Sequence, residues 1–170
     1  MNIRLLKPSD AKGYWKLRLE ALKQNPEAFA TSYEEAIKRV NPVEGLARSL
    51  ANKENFTFGA FNNNGILVGV VTLLQETSLK LRHKANILAM YVSPEARGLG
   101  VGQELLLEAI NQAKSIETIK KINLTVVTTN ESAKGLYAKL GFKIYGTEEQ
   151  ALIMNNNYYD EEYMVLFLND

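Results

Sequence analysis

The sequence predicts an α/β (α+β) fold: a mixed, mostly antiparallel sheet with a central pair of parallel strands, flanked by helices. Three observations predict it. Two apolar runs, residues 57–61 and 66–74, are separated by Asn62-Asn63-Asn64-Gly65, and Asn-Gly between such runs is a strong hairpin signal because both residues tolerate positive φ. The run 87–92 is followed by Leu105, Leu106, Ala109, Ile110 and Ala113 at helical spacing and then by the run 121–127. Strand, helix and strand at this spacing make the two strands parallel through a right-handed crossover. Between the first strand and its helix lies a turn with three glycines, Gly98, Gly100 and Gly102.

Taken in order, residues 3–6 read as a short edge strand stopped by Pro8, with Ser9 or Asp10 placed to cap the next helix. That helix is expected to reach about Lys23. Trp15, Leu19 and Leu22 form its apolar stripe with Tyr14 and Ala21 beside it, which places the lone tryptophan in the core. Asn25-Pro26 breaks the pattern. Residues 29–33 are mixed, residues 34–39 favour helix, Asn41-Pro42 interrupts, and a further helix over 43–52 turns Leu46 and Leu50 inward. The hairpin follows, and the polar stretch 75–84 connects it to the strand 87–92, so three antiparallel strands precede the glycine turn. Beyond the strand 121–127, a helix starts at Asn130 and ends at Gly141, a good residue just past a helix end. Residues 142–146 and 158–168 supply two more strands, with Asn155-Asn156-Asn157 as turn material. No repeat, linker or low-complexity segment divides the chain, so one domain over residues 1–170 is expected.

Composition narrows the function classes. A chain of 170 residues with 46% hydrophobic and 23% charged residues suits one globular domain. Its net charge of +1 gives no bulk attraction to nucleic acid or anionic membrane, so affinity for anions must be local. The absence of cysteine excludes disulfides, thiolate metal ligands and a cysteine nucleophile. His83 stands alone as the single histidine in a basic polar segment, and no metal site is indicated. The first residues lack a signal-peptide apolar core and no run approaches the ~20 apolar residues of a membrane span, so a cytoplasmic protein is expected.

The glycine turn carries the chemistry. The first N–H groups of a helix lack intrahelical partners and carry the positive end of its dipole, and a glycine-rich entry lets a phosphate approach without meeting Cβ atoms. A Walker loop would need Gly-Lys-Ser/Thr, whereas Gly102 is followed by Gln103 and Glu104. A dinucleotide fingerprint would place its third glycine one residue later and an acid about 20 residues on, and residues 124–128 offer none. What fits is Arg97-x-x-Gly100-x-Gly102 after a Val-x-Pro strand exit, which resembles the acyl-CoA signature of the GNAT superfamily of N-acyltransferases. Downstream, Asn130-x-x-Ala133-x-x-Leu136-Tyr137-x-x-x-Gly141-Phe142 is similar to the family's second signature. The two together lie within residues 97–142.

The resemblance implies the GNAT fold and transfer of an acyl group, most simply acetyl, from acetyl-CoA to an amine by direct attack on the thioester. It implies that Arg97, Gly98, Leu99, Gly100, Val101, Gly102 and Gln103 hold the CoA phosphates, that the backbone of Met90, Tyr91 and Val92 pairs with the pantetheine arm, and that the early helices cover the acceptor. No nucleic-acid, membrane or metal partner is implied, and family precedent is a homodimer.

Each residue also has a plainer reading. Arg97 meets a phosphate or is a solvated charge at a turn. Leu99 to Gln103 act through backbone N–H groups, so the glycines are the sensitive positions. Asn130 caps its helix, and in the family the matching residue also touches the CoA arm. Tyr137 shares an apolar face with Ala133, Leu136 and Leu140, the pattern of a core residue, while the family places the matching hydroxyl beside the thioester sulfur as a general acid. Glu34 and Glu35 are either a solvated helix face or the acids that deprotonate the amine. The Asp160-Glu161-Glu162 run is a charged strand start that could also attract a cationic acceptor. A non-catalytic acyl-CoA-binding module is the rival reading. The acceptor itself is not legible, because one fold serves many amines.

Overall fold

The computed structural model describes residues 1–168, so the last two residues of the expected domain lie outside it. Among the described residues seven strands form one sheet: β1 (Asn2–Leu5), β2 (Asn55–Phe61), β3 (Leu67–Gln75), β4 (Lys84–Val92), β5 (Lys121–Val127), β6 (Lys143–Met154) and β7 (Asn157–Phe167). Their order is β1-β2-β3-β4-β5-β7-β6. All neighbours are antiparallel except β4 and β5, which are parallel as the crossover spacing requires. The β2–β3 turn differs from the expected pair of positive-φ residues. Gly65 alone takes positive φ (72°), and Asn62 Oδ1 accepts from the N–H groups of Asn64 and Ile66 at 2.9 and 3.0 Å. This is a three-residue loop closed by one left-handed glycine.

The helices are α1 (Ala11–Gln24), α2 (Tyr33–Ala36), α3 (Pro42–Leu50), α4 (Val101–Ser115) and α5 (Glu131–Lys139). They cover the two faces of the sheet. On one face Leu105, Leu106 and Ala109 of α4 and Tyr137 of α5 bury Val71, Leu73, Ile87 and Ile122. On the other, Tyr14, Leu17 and Ala21 of α1 pack with Val70 and Tyr91. Val70 and Val71 go to opposite faces, as adjacent strand residues must.

Ile87 and Tyr91 are four apart on β4 yet also face opposite ways. The cause is a bulge. Val70 pairs with Tyr91 and Thr72 with Leu88, so β4 carries one residue more than β3 across this interval, and Ala89 takes a φ of 53°. An extra residue inverts the alternation and bends the strand.

Several expectations are corrected. The buried residues of α1 are Ala11, Tyr14, Leu17, Ala21 and Leu22. Trp15 and Leu19 are half-buried at the edge of that stripe, and Trp15 belongs to neither core. Asp10 precedes α1 but makes no cap bond to it. Its carboxylate instead accepts from Lys7 N at 2.7 Å and from Arg4 at 2.8 and 2.9 Å. Helix α2 is a single turn, because Ala36 alone is buried on it and Asn41, at a φ of 50°, and Pro42 begin the next helix. Strand β6 runs well beyond residue 146. It is an exposed edge with register shifts, so its polar residues show no period-two burial.

Candidate active site

The parallel pairing of β4 and β5 stops early. Lys84, Ala85 and Asn86 pair with Lys121, Ile122 and Asn123, and beyond them the two strands part. From there, among the described residues, β5 is paired with β7 alone and the β4 backbone has no strand neighbour on that side. The gap opens into a cavity of about 1200 Å³ whose lining includes residues from both faces of the sheet. In its lining the side-chain oxygen of Asn123 is buried without a hydrogen-bond partner among the described residues.

At one mouth lies the start of α4. Gly98 and Gly100 have φ of 76° and 81°, and a Cβ at either would meet nothing within 4 Å. These glycines are required by backbone conformation, and the space above them is open. Gly102 is different: it lies inside the helix, and a Cβ there would come within 3.2 Å of Met90 Cε and 3.3 Å of Leu136 Cδ2. Its small size lets α4 sit against β4 and α5. Val101 is buried in the core, whereas Leu99 is 66% exposed and touches neither core nor cavity. Gln103 lines the cavity and accepts from Lys139 Nζ at 2.9 Å. Arg97 is held in place by two bonds, Nε to Val92 O at 3.0 Å and Nη2 to Asn25 Oδ1 at 2.8 Å.

Met90 and Val92 line the gap and pack against the α4 face, while the Tyr91 side chain goes to the opposite face and contributes backbone to the gap. Asn130 Oδ1 accepts from Ala133 N at 3.2 Å, the cap expected for α5, and Asn130 also lines the cavity. Tyr137 is 6% exposed with its ring edge-on to Phe142. Among the described residues its hydroxyl has no hydrogen-bond partner, and the residue lines the cavity. Burial pushes the Tyr137 phenol up to about 12, so it stays protonated at neutral pH.

Glu34 and Glu35 do not reach this site. Both are exposed and neither lines the cavity, and the Glu35 carboxylate is occupied by Ser32 N at 2.9 Å in the box that starts α2. The geometry therefore does not support a base at either residue. The acidic run at 160–162 is also elsewhere: Asp160 accepts from Gln150 N and Glu162 lies 3.4 Å from Lys134 Nζ. Among the described residues no group of acids, histidines or cysteines is arranged to hold a metal.

Sequence reasoning missed the far end of the cavity. Tyr14, Arg18, Phe29 and Arg39 line it from α1 and the segments after it, opposite Thr57 and Thr72, whose hydroxyls are 2.8 Å apart. One signal was available. Tyr14 and Arg18 are four apart and share a helix face.

Comparison with known proteins bears on these features together. The pattern of the "Acetyltransferase (GNAT) family" matches residues 16–142, three quarters of the chain and both glycine-turn and α5 signatures. The chain belongs to this family. Among similar sequences are a Peptidyl-lysine N-acetyltransferase YjaB of Escherichia coli, 38% identical over 36% of this chain and 37% of that protein, and an L-amino acid N-acetyltransferase AaaT of Escherichia coli, 30% identical over 59% and 62%. A Spermidine N(1)-acetyltransferase of Thermoplasma acidophilum is 32% identical over 66% of each chain. The chain thus matches between about a third and two thirds of these relatives' lengths. Among solved structures, an acetyltransferase of the GNAT family from Streptococcus pneumoniae superposes with a TM-score of 0.86 at 24% identity, covering 98% of this chain and 99% of that one. A second, from Salmonella typhimurium and solved with acetyl-CoA, has a TM-score of 0.83 at 20% identity over 100% and 95%. The fold is the GNAT fold, with its mixed sheet and parted parallel pair.

Proposed function

We propose that this chain, acting as a single domain, is an acetyl-CoA-dependent N-acetyltransferase. One observation carries the reading: the stretch of β4 after Asn86 that is unpaired on its β5 side, the glycine-built start of α4 and Tyr137 all border one continuous cavity. The site fits CoA. Gly98 and Gly100 leave the N-terminus of α4 open to a phosphate, Arg97 lies beside it, and the free edge of Met90 to Val92 matches an amide-bearing arm that adds itself like a strand. Acetyl-CoA supplies the activated acetyl thioester, and the chain supplies position and hydrogen bonds.

In this reading a backbone N–H near Met90 to Val92 polarises the thioester carbonyl. Asn130 fixes α5 by its cap, and so fixes Tyr137 against the gap. The Tyr137 O–H donates to the sulfur as it leaves. With its pKa near 12 it gives a hydrogen bond more readily than a whole proton, so its share of catalysis falls at the low end of general-acid effects. No carboxylate lines the cavity among the described residues, so the amine reacts as the neutral form that solvent delivers. The named relatives act on lysine side chains, amino acids and a polyamine, and N-acetyl transfer is what they share.

The test is release of CoA thiol from acetyl-CoA by the purified protein with a panel of amines, alongside calorimetric binding of CoA. Amine-dependent release supports the transferase. Tight CoA binding with no release by any amine overturns it in favour of a binding module.

A further inference from the structure

The far end of the cavity is charged in one sense. Five tyrosines and three arginines line the whole cavity, and among the described residues no aspartate, glutamate, lysine or histidine does. Arg97 belongs to the α4 mouth, where Val92 O and Asn25 hold it. Arg18 and Arg39 belong to the other end. Arg18 is partly buried on α1, its guanidinium 5.4 Å from the Phe29 ring. Among the described residues it has no hydrogen bond and no ion pair. The charged and titratable groups near enough to act on it are Tyr14 and Arg39, and burial together with Arg39 holds its pKa below the usual arginine value.

A partly buried guanidinium without a counter-ion is costly, because its donors lose water and gain no acceptor. The neighbouring Thr57 and Thr72 hydroxyls bond each other, and Thr57 also bonds Asn55, so they are committed elsewhere. What would complete Arg18 is an anion that enters through the cavity. Phe29 lies beside it, and Leu46 and Leu74 add apolar surface to the same cavity.

We infer that the acceptor is an amine that carries its own carboxylate next to an apolar side chain, an apolar α-amino acid in chemical class, with Arg18 binding the carboxylate and Arg39 adding to the positive field. This rests on the transferase reading above. A carboxylate on Arg18 gains a charge-assisted, bidentate geometry. A polyamine or a lysine side chain would instead bring positive charge toward two arginines, of which only Arg39 has a carboxylate, that of Glu35, near enough to act on it.

The experiment compares kcat/KM at saturating acetyl-CoA for L-phenylalanine, L-leucine and L-methionine, for the three matching amino-acid amides, and for spermidine. An amino acid is expected to exceed its own amide by tenfold or more. In Arg18→Gln that preference is expected to vanish through a rise of about tenfold in KM for the amino acid, with the amide's kcat/KM and the KM for acetyl-CoA unchanged. Arg18→Lys is expected to restore part of the preference. The amide is the control for damage to the fold, since a merely structural role for Arg18 would lower amide and amino acid alike. Thiol release that is as fast or faster with an amide or spermidine overturns this inference and leaves the transferase standing, as does an equal loss for both substrates in Arg18→Gln. No release with any of the seven amines overturns the transferase reading, and this inference with it.

Discussion

The Tyr91 hydroxyl donates to Glu20 Oε1 at 3.0 Å, and the Ser93 hydroxyl donates to the same oxygen at 2.6 Å. Residues 71 and 73 positions apart are thereby joined, and α1 is tied to the end of β4 just before the glycine turn. The bulge at Ala89 makes this contact available by turning Tyr91 to the α1 face. Glu20→Ala leaves two hydroxyls without their acceptor and is expected to cost about 1–3 kcal/mol. A fall in the urea midpoint at constant slope checks it, and an unchanged midpoint would show that α1 is held by packing alone.

The same contact sets a pH dependence. Burial first, and then the Glu20 hydrogen bond, push the Tyr91 phenol from 10.0 up to about 12. A group whose folded pKa is raised contributes stability that is fully present below its unfolded value and is lost as pH rises through the folded one. Stability is therefore expected to decline between about pH 10 and 12. The decline should be shallower in Tyr91→Phe, measured as urea midpoints across that window, and equal slopes in both proteins would reject the assignment.

Gly100 and Gly102 answer to different constraints. Gly100→Asp places a carboxylate in open space at the N-terminus of α4, where CoA phosphate is proposed to bind, and CoA binding is expected to be lost while the protein folds. The positive φ adds a strain of about 1–2 kcal/mol to its stability. Gly102→Ala presses on the ends of Met90 and Leu136, so a lower melting temperature with CoA binding reduced less than in Gly100→Asp is expected. Wild-type CoA affinity in Gly100→Asp, read by calorimetry, would remove the phosphate from this mouth.

Arg97→Ala is expected to weaken CoA about tenfold or more while sparing pantetheine fragments, in keeping with the roughly 1.5–3 kcal/mol of a hydrogen bond to a charged group. Its bonds to Val92 O and Asn25 already fix the side chain beside the cradle. Equal affinity for every ligand would leave Arg97 as a brace between β4 and the end of α1.

The parts of the site that were legible in the sequence are those built from neighbours in the chain. The glycine turn, the Asn130 cap and the helix bearing Tyr137 are each written within a dozen residues, and their geometry follows from local backbone rules. Arg18 was not legible, because its meaning comes from Phe29, Arg39 and a strand gap contributed by distant segments. Nor was the Ala89 bulge, which no glycine or proline marks. Glu34 and Glu35 were two-sided in the sequence, a solvated face or a base: the region does line the cavity, through Phe29, Thr31 and Arg39, while Glu35 bonds Ser32 at the start of a one-turn helix. The length of β6 escaped notice because an exposed edge strand has no apolar alternation to read.

In the proposed reaction the Tyr137 hydroxyl assists departure of the thiolate. Tyr137→Phe keeps the ring against Phe142 and removes one oxygen that has no partner among the described residues, so melting temperature and CoA affinity are expected to change little. The deciding measurement is the single-turnover rate of thiol release with enzyme in excess, which isolates the chemical step. A fall of about 10²-fold in Tyr137→Phe, near the low end of general-acid effects, is the predicted result. A rate equal to that of the wild type across the pH range would contradict it and return Tyr137 to core packing.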